Sequence, residues 1–389
     1  MVVRHSLAVR DADQAAAAVA AGAAMLLVVN DNPWREQRRY SADPLTPAPI
    51  EVALLSTDEG NALIAAIQHR RVTLTVASTP VSDYVYDLME VHHDSIPANL
   101  VQVQNAGNLA QVRVGFDQSR PPTPGGEFRF DWPVYSDWGI GTLSSRRLAP
   151  QRTDWLSTGA LNQWGQEAYI GDRVYEIDNR QAYAPRSTGT EQFFAPIERP
   201  HLNNNYKAPT RTGNSISVDI PGWGSGDHVG MALNAATQTT AVYQGDTLLG
   251  QSGGTFVTVT APSAKPLGYR VVVKTAEEPG AWPYSSSTTT TWSFRSAAPA
   301  TTADLPLLQL QYAVDGDDLT VTSDTKAASI RLSVSYDDGA HWTARPLSRA
   351  GTARLRPPHQ ASFASIRATA TDPAGNAIDQ TVIRAFGPH

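Results

Sequence analysis

DADQAAAAVAAGAAMLLVVN, residues 11–30, is the stretch whose reading decides the fold. Its first half is rich in alanine, the strongest helix former, and it runs into Gly22, a residue that stops helices. Its second half, Met25 to Val29, is apolar and partly β-branched, as a buried strand requires. A helix feeding a buried strand is the beginning of an α/β layer, and the flanks extend it. Met1 to His5 reads as a short strand, and Ser6 to Asp13 supplies the polar residues that start the helix. Asn30 to Pro33 closes the second strand with turn residues. Ile50 to Leu55 reads as a third strand, and Ser56-Thr57-Asp58-Glu59 matches a capping box. Leu63, Ile64 and Ile67 fall on one face of the helix that follows, and Val72 to Val76 reads as a further strand. The predicted order over residues 1–80 is β-α-β-loop-β-α-β.

From Val81 onward the texture changes. Glycine, proline, serine and threonine break the chain every eight to twelve residues, and short alternating runs such as Leu100–Val103, Gln111–Phe116, Ser215–Ile220, Tyr269–Thr275, Ile330–Tyr336 and Phe363–Thr371 replace any helical period. That density of turns predicts antiparallel β-sandwiches. Three are expected: a tryptophan-rich one over 81–205, a second over 206–300 and a third, immunoglobulin- or fibronectin-like, over 301–389. The small, proline-bearing run Ala297 to Asp304 marks the last boundary. The expected fold class is therefore multidomain and mainly β, a small α/β domain followed by about three antiparallel sandwiches.

Composition narrows the function. The 389 residues carry a formal charge of −6 and only four lysines, Lys207, Lys265, Lys274 and Lys326, so nothing resembles the basic stripe that neutralises nucleic-acid phosphates. With no cysteine there is no disulfide, thiolate metal site or cysteine nucleophile. The longest apolar run, Ala15 to Val29, is interrupted by Gly22 and is too short to span a bilayer. Neither nucleic acid nor membrane is expected as a partner.

The stretches DADQAAAAVAAGAA, MLLVVND, PAPIEVALLSTDEGNALIAAI and VTLTV, taken in order, resemble a protease-associated domain. The segment Ala48 to Gly60 corresponds to the part of that family's pattern that leads into its second helix. A generic α/β fragment with an alanine-packed helix is the alternative. The family's opening strands have no counterpart before Met1, which implies a piece of a longer protein. The order of this segment, then YVYDL and IPANL, a tryptophan-rich region and the SYDDGAHW end is similar to the C-terminal extensions of large secreted bacterial subtilisin-like serine proteases. The resemblance implies a non-catalytic accessory region that packs against a protease domain or holds a protein or peptide substrate, and an extracellular location.

The catalytic motifs of that family, Asp-Ser/Thr-Gly, His-Gly-Thr and Gly-Thr-Ser, are missing, so no enzyme activity is expected. Gly250-Gln251-Ser252-Gly253-Gly254 satisfies the nucleophile-elbow pattern, but strand-like runs lie on both sides, and a hairpin turn is the expected structure. Ser335 to Trp342 matches a single Asp-box, read as a hairpin staple with Asp337 and Gly339 in the turn and Trp342 in the core. His92-His93-Asp94 and Asp227-His228 are expected to be loops. Asp315-Gly316-Asp317-Asp318 lacks the spacing and distant glutamate of a calcium loop, so no cofactor is expected and calcium finds no support. The aromatics Trp132, Tyr135, Trp138, Trp155 and Trp164 are the candidate binding residues. Exposed on a flat sheet they would stack sugar rings, making a polysaccharide the alternative partner. Buried, they would be ordinary sandwich core.

Overall fold

The computed structural model describes residues 1–389 except 7, 31–47, 78–81, 118–123, 149–150, 172, 235, 281, 325–328 and 389, and leaves the side chains of 124 and 142–147 undescribed. Strand makes up 46% of the chain, and among the described residues helix is confined to two segments of the first seventy, so the mainly β, multidomain reading holds at that level. The chain divides into two compact units, 1–81 with 145–147 and the remainder.

In the first unit β1 (Val2–Arg4), β2 (Met25–Val29) and β3 (Glu51–Leu55) form a parallel sheet in the order β1-β2-β3. Parallel neighbours require crossovers, which α1 (Asp11–Ala20) provides between β1 and β2. The alanines act through their size: Ala15 and Ala18 are fully buried against Leu26 and Val28. Gly22 ends the helix in the left-handed region at φ 74°, where a side chain would be strained. The capping expected from Ser6 to Asp13 differs in detail, because the N-cap is Arg10, whose guanidinium instead bonds Asp13 at 2.9 Å. The second helix, α2 (Thr57–His69), has its capping box: the Glu59 N–H donates to Ser56 Oγ at 3.3 Å, and the Ser56 hydroxyl donates to the Glu59 carboxylate at 2.8 Å. Gly60 brings α2 against β2, since a Cβ there would lie 2.2 Å from Val29. Val72–Val76 forms no strand: Leu74 and Val76 face water, and β3 pairs only with β2 among the described residues.

The second unit opens with a sandwich of β4 (Tyr84–Asp87), β5 (Leu109–Phe116), β6 (Pro124–Asp131), β7 (Ile140–Arg147), β8 (Gln151–Ser157), β9 (Trp164–Ile170), β10 (Val174–Ile177) and β11 (Thr188–Phe193). One sheet runs β11-β5-β8-β4; the other runs β10-β9-β6-β7 and gains β14 (Val229–Ala232) on the outer edge of β10. That last strand comes from the segment expected to form the next sandwich. Two pairings, β4 with β8 and β11 with β5, are parallel rather than antiparallel. The predicted run Leu100–Val103 is unpaired loop.

The remaining elements are β12 (Thr210–Thr212), β13 (Ser215–Asp219), β15 (Ala236–Gln244), β16 (Thr247–Ser252), β17 (Phe256–Thr260), β18 (Leu267–Glu277), β19 (Ser287–Ser296), β20 (Ala303–Asp304), β21 (Leu310–Asp315), β22 (Asp318–Ser323), β23 (Ser329–Ser335), β24 (Thr343–Arg345), β25 (Thr352–Arg354), β26 (Ala364–Thr371) and β27 (Ala377–Phe386). Segments 206–300 and 301–389 meet edge to edge, because β19 pairs with β27 inside one eight-stranded sheet, β16-β15-β18-β19-β27-β26-β23-β24. Two smaller sheets, β17-β13-β12-β20 and β21-β22-β25, share its apolar core. Trp292 is fully buried there and satisfies its indole N–H on the Leu308 carbonyl at 2.7 Å. The Asp-box closes the turn after β23: Ser335 Oγ accepts the Gly339 N–H at 2.9 Å, Asp337 accepts the His341 N–H at 2.9 Å, and half-buried Trp342 lies against Gly339. The Ser335 hydroxyl also donates to Asp337 at 2.6 Å, and this bond, with the one from the His341 N–H, holds the Asp337 carboxyl far below the usual range.

Candidate functional site

The first sandwich is unusual in what it buries. Along β6 the sequence alternates charge and aromatic, and a strand must send the two sets to opposite faces. Glu127, Arg129 and Asp131 point into the sandwich and are buried, while Phe128, Phe130 and Trp132 form a half-buried ladder on the outside. The facing strand β8 contributes Arg152 and Asp154 to the same interior. Arg152 donates in fork fashion to Glu127, both distances 2.5 Å, and to Asp154 at 2.7 and 2.9 Å. Arg129 bonds Asp154 at 2.5 Å and Gln166 at 2.7 Å, and its Nε lies 3.4 Å from Asp87. Gln166 donates to Glu127, and its backbone N–H donates to Asp178. Asp131 accepts from the Asn162 amide and the Gln163 N–H.

The network continues to His228 at the sandwich's far end. Its Nδ1 lies 3.3 Å from Glu176 and its Nε2 lies 3.4 Å from Glu191, with the ring stacked on Phe193 at 4.3 Å. Burial alone would lower the imidazole's pKa, but the hydrogen bonds to Glu176 and Glu191 outweigh it and raise it to about 10. Asp178 moves upward to about 8, first through burial and then through repulsion by Glu191. Its proton relieves an interior in which carboxylates outnumber cations. Glu191, Asp227 and His228 bring their ligand atoms within 4.8 Å of one another, a spacing that suits a metal ion. A doubly paired, protonated imidazole has no lone pair for one, so the trio is an ion pair as it stands.

The opposite side of the sheet β11-β5-β8-β4 is open. Residues directly across from one another share a face, so the register defines two rows. One reads Thr188, Gln111, Trp155, Tyr86; the other reads Thr190, Arg113, Thr153, Tyr84. Trp155 and Tyr86 have ring centroids 6.3 Å apart and planes 26° from parallel, and Tyr84 meets Tyr86 edge-on at 5.6 Å. A cleft of about 330 Å³ lies beside Trp155 and Tyr86, bounded by Leu88 and residues 104–106. A second, of about 450 Å³, lies over Gln111, Arg113, Thr153 and Thr188–Thr190.

The five predicted aromatics do not form one platform. Trp164 is buried core, its indole N–H on the Ser157 carbonyl at 2.8 Å. Trp132 is half-buried under the Arg180 guanidinium, 3.6 Å above the ring. Tyr135 packs 4.2 Å from His93 and donates to the His92 carbonyl. Trp138 is 83% exposed and belongs to neither row. Only Trp155 stands in the open face, and its companions Tyr84 and Tyr86 were not singled out, although the alternation in YVYD is the signal that places both on one side. His92 and His93 turn to different carboxylates, Glu90 and Asp94. Asp315 to Asp318 is the turn between β21 and β22. Ser252 ends β16 and a turn leads to β17 in another sheet, so the segment is a crossover rather than the expected hairpin, and no helix follows to make an elbow. No protein-family model matches the chain, and no curated protein matches it.

Proposed function

We propose that this chain is a non-catalytic accessory region of a secreted subtilisin-like protease, built from a protease-associated-like α/β domain and sandwich modules, which contacts a protease domain or holds a protein substrate. The observation that carries the reading is the stretch between β4 and β5. Ile96, Leu100, Val101 and Val103 are each at least 60% exposed there, in backbone that pairs with no sheet. Exposed aliphatic side chains in such density mark protein-contact surface. The buried ionisable groups of the adjoining sandwich, Arg152 with Glu127 and Arg129 with Asp154 among them, pair with one another, which supports the same reading. Among the described residues no helix is long and apolar enough to cross a membrane.

The full chain is expected to hydrolyse casein and peptide esters no faster than buffer, with Ser252→Ala indistinguishable from wild type. Binding to denatured casein is expected to weaken about tenfold in Val101→Asp. Serine-inhibitor-sensitive turnover that disappears in Ser252→Ala would overturn the proposal. A second reading, carbohydrate binding, is favoured by the open face of β11-β5-β8-β4.

A further inference from the structure

We infer that the outer face of β11-β5-β8-β4 is a binding site for an acidic polysaccharide, a sugar chain carrying carboxylates. The inference rests on the carbohydrate reading of that face and adds the ligand's charge and path. Across four strands the two rows span about 14 Å at the usual strand spacing, the length of a short oligosaccharide. The β4 end offers the faces of Trp155 and Tyr86 with Tyr84 beside them, a surface on which the C–H face of a sugar ring stacks. Toward β11 the face offers hydroxyls and an amide, Thr188, Thr190 and Gln111, joined by Thr153 on β8, the strand of Trp155; these groups both donate and accept and so match sugar hydroxyls.

The charge of the face selects among sugars. Its outward positions continue through Gln151 and Gln192 and include no carboxylate; Glu191 and Asp154, on the same strands, point inward. Arg113 is the sole charge in the two rows, is exposed, and has no ion pair among the described residues. It lies over the larger cleft, diagonal to Trp155, so the two Cα atoms are about 7–8 Å apart. A ring seated on Trp155 therefore places its neighbour's carboxylate within reach of the guanidinium. An acidic peptide could satisfy Arg113 but would leave the flat aromatic surface and the hydroxyl row unused, whereas a neutral glycan would leave the arginine unused.

Isothermal titration of the full chain with hexagalacturonate, cellohexaose and poly-L-glutamate separates these cases. Hexagalacturonate is expected to bind at least tenfold more tightly than either of the others. Tyr86→Ala is expected to weaken hexagalacturonate at least fivefold. Arg113→Gln is expected to erase the preference over cellohexaose and the salt dependence, while Arg270→Gln, a charge change on another exposed surface, alters neither. Both Tyr86 and Arg113 are exposed, so the variants keep the fold, and far-ultraviolet circular dichroism checks this. Equal affinity for cellohexaose overturns the acidic specificity and leaves the carbohydrate reading standing. Poly-L-glutamate binding as tightly as the sugar, or no binding of either sugar, overturns both. The protease-accessory reading is tested separately by the casein measurements.

Discussion

The two β regions of the second unit solve the same problem with opposite materials. Around the eight-stranded sheet the interior is Val271, Val273, Trp292, Phe294, Ile366 and Val382, a core held by area removed from water. Between the sheets of the first sandwich, Val112, Val114, Leu156 and Phe193 share the interior with Arg152, Glu127, Asp154, Arg129 and His228. Apolar cores forgive one imperfect neighbour. A buried ionic network does not, because each charge was stripped of water and depends on a named partner at a defined distance. The first sandwich is thus specified by pairing and the second by volume.

The sharpest way to break the comparison is to remove one charge. Arg152→Met removes the guanidinium bonded to both Glu127 and Asp154, of which Asp154 keeps Arg129, and should destabilise the sandwich by about 3–5 kcal/mol, measured by urea unfolding at pH 7. Adding Glu127→Leu to the same chain should recover much of that loss, because the uncompensated charge leaves with its partner while Asp154 keeps Arg129. Trp292→Ala should cost about 3–5 kcal/mol in the other region, and no companion substitution of a polar neighbour should rescue it. An Arg152→Met, Glu127→Leu double variant no more stable than the single one would remove the distinction.

A smaller effect appears with pH. His228 has a folded pKa near 10 against an ordinary 6.5, so its contribution is complete below about 6.5 and is lost as pH rises through 10. Asp178, raised to about 8 from 3.8, holds its proton in the fold while the unfolded chain has released it, so it too makes stability fall as pH rises, between about 4 and 8. Each proton gives a slope of roughly 1.4 kcal/mol per pH unit within its window. Amide hydrogen exchange in β9 and β10 should register this slope more steeply than exchange in β18 and β19. His228→Gln should remove the part above pH 8.

The smallest effect sharpens the point by repeating the chemistry at the surface. Arg367 makes the same two-pronged contact with Asp379, at 3.1 and 2.5 Å, with both side chains well exposed. Arg367→Met should cost no more than about 1 kcal/mol by the same unfolding measurement, since water replaces what is lost.

What could be read in the sequence follows from this contrast. The helix and strands of residues 11–30 and 50–69 were legible because size and period both declare themselves locally: alanine at Ala15 and Ala18, a capping box at Ser56, glycine at Gly60. The apolar strands of the large sheet were legible for the same reason. The interior of the first sandwich was not, because a strand reading Glu-Phe-Arg-Phe-Asp invites the aromatics inward, and only the facing Arg152 and Asp154 on another strand reverse that choice. The open face of β11-β5-β8-β4 was half legible. Trp155 was named from its type, but Tyr84 and Tyr86 reach it only through a parallel pairing with β8 that no local pattern announces. The merging of 206–300 with 301–389 was hidden likewise, since the pairing of β19 with β27 joins residues far apart in the chain.

That pairing also determines how the molecule can be cut. β19 is ten residues long, and the edge it offers to β27 would lie bare in any fragment ending at residue 300. A long strand with unpaired N–H and C=O groups is a template for another copy of itself. Fragments divided at the proline-bearing run 297–304 are therefore polymerisation-prone pieces, and the smallest soluble unit carrying β19 must also carry the C-terminal strand that covers it.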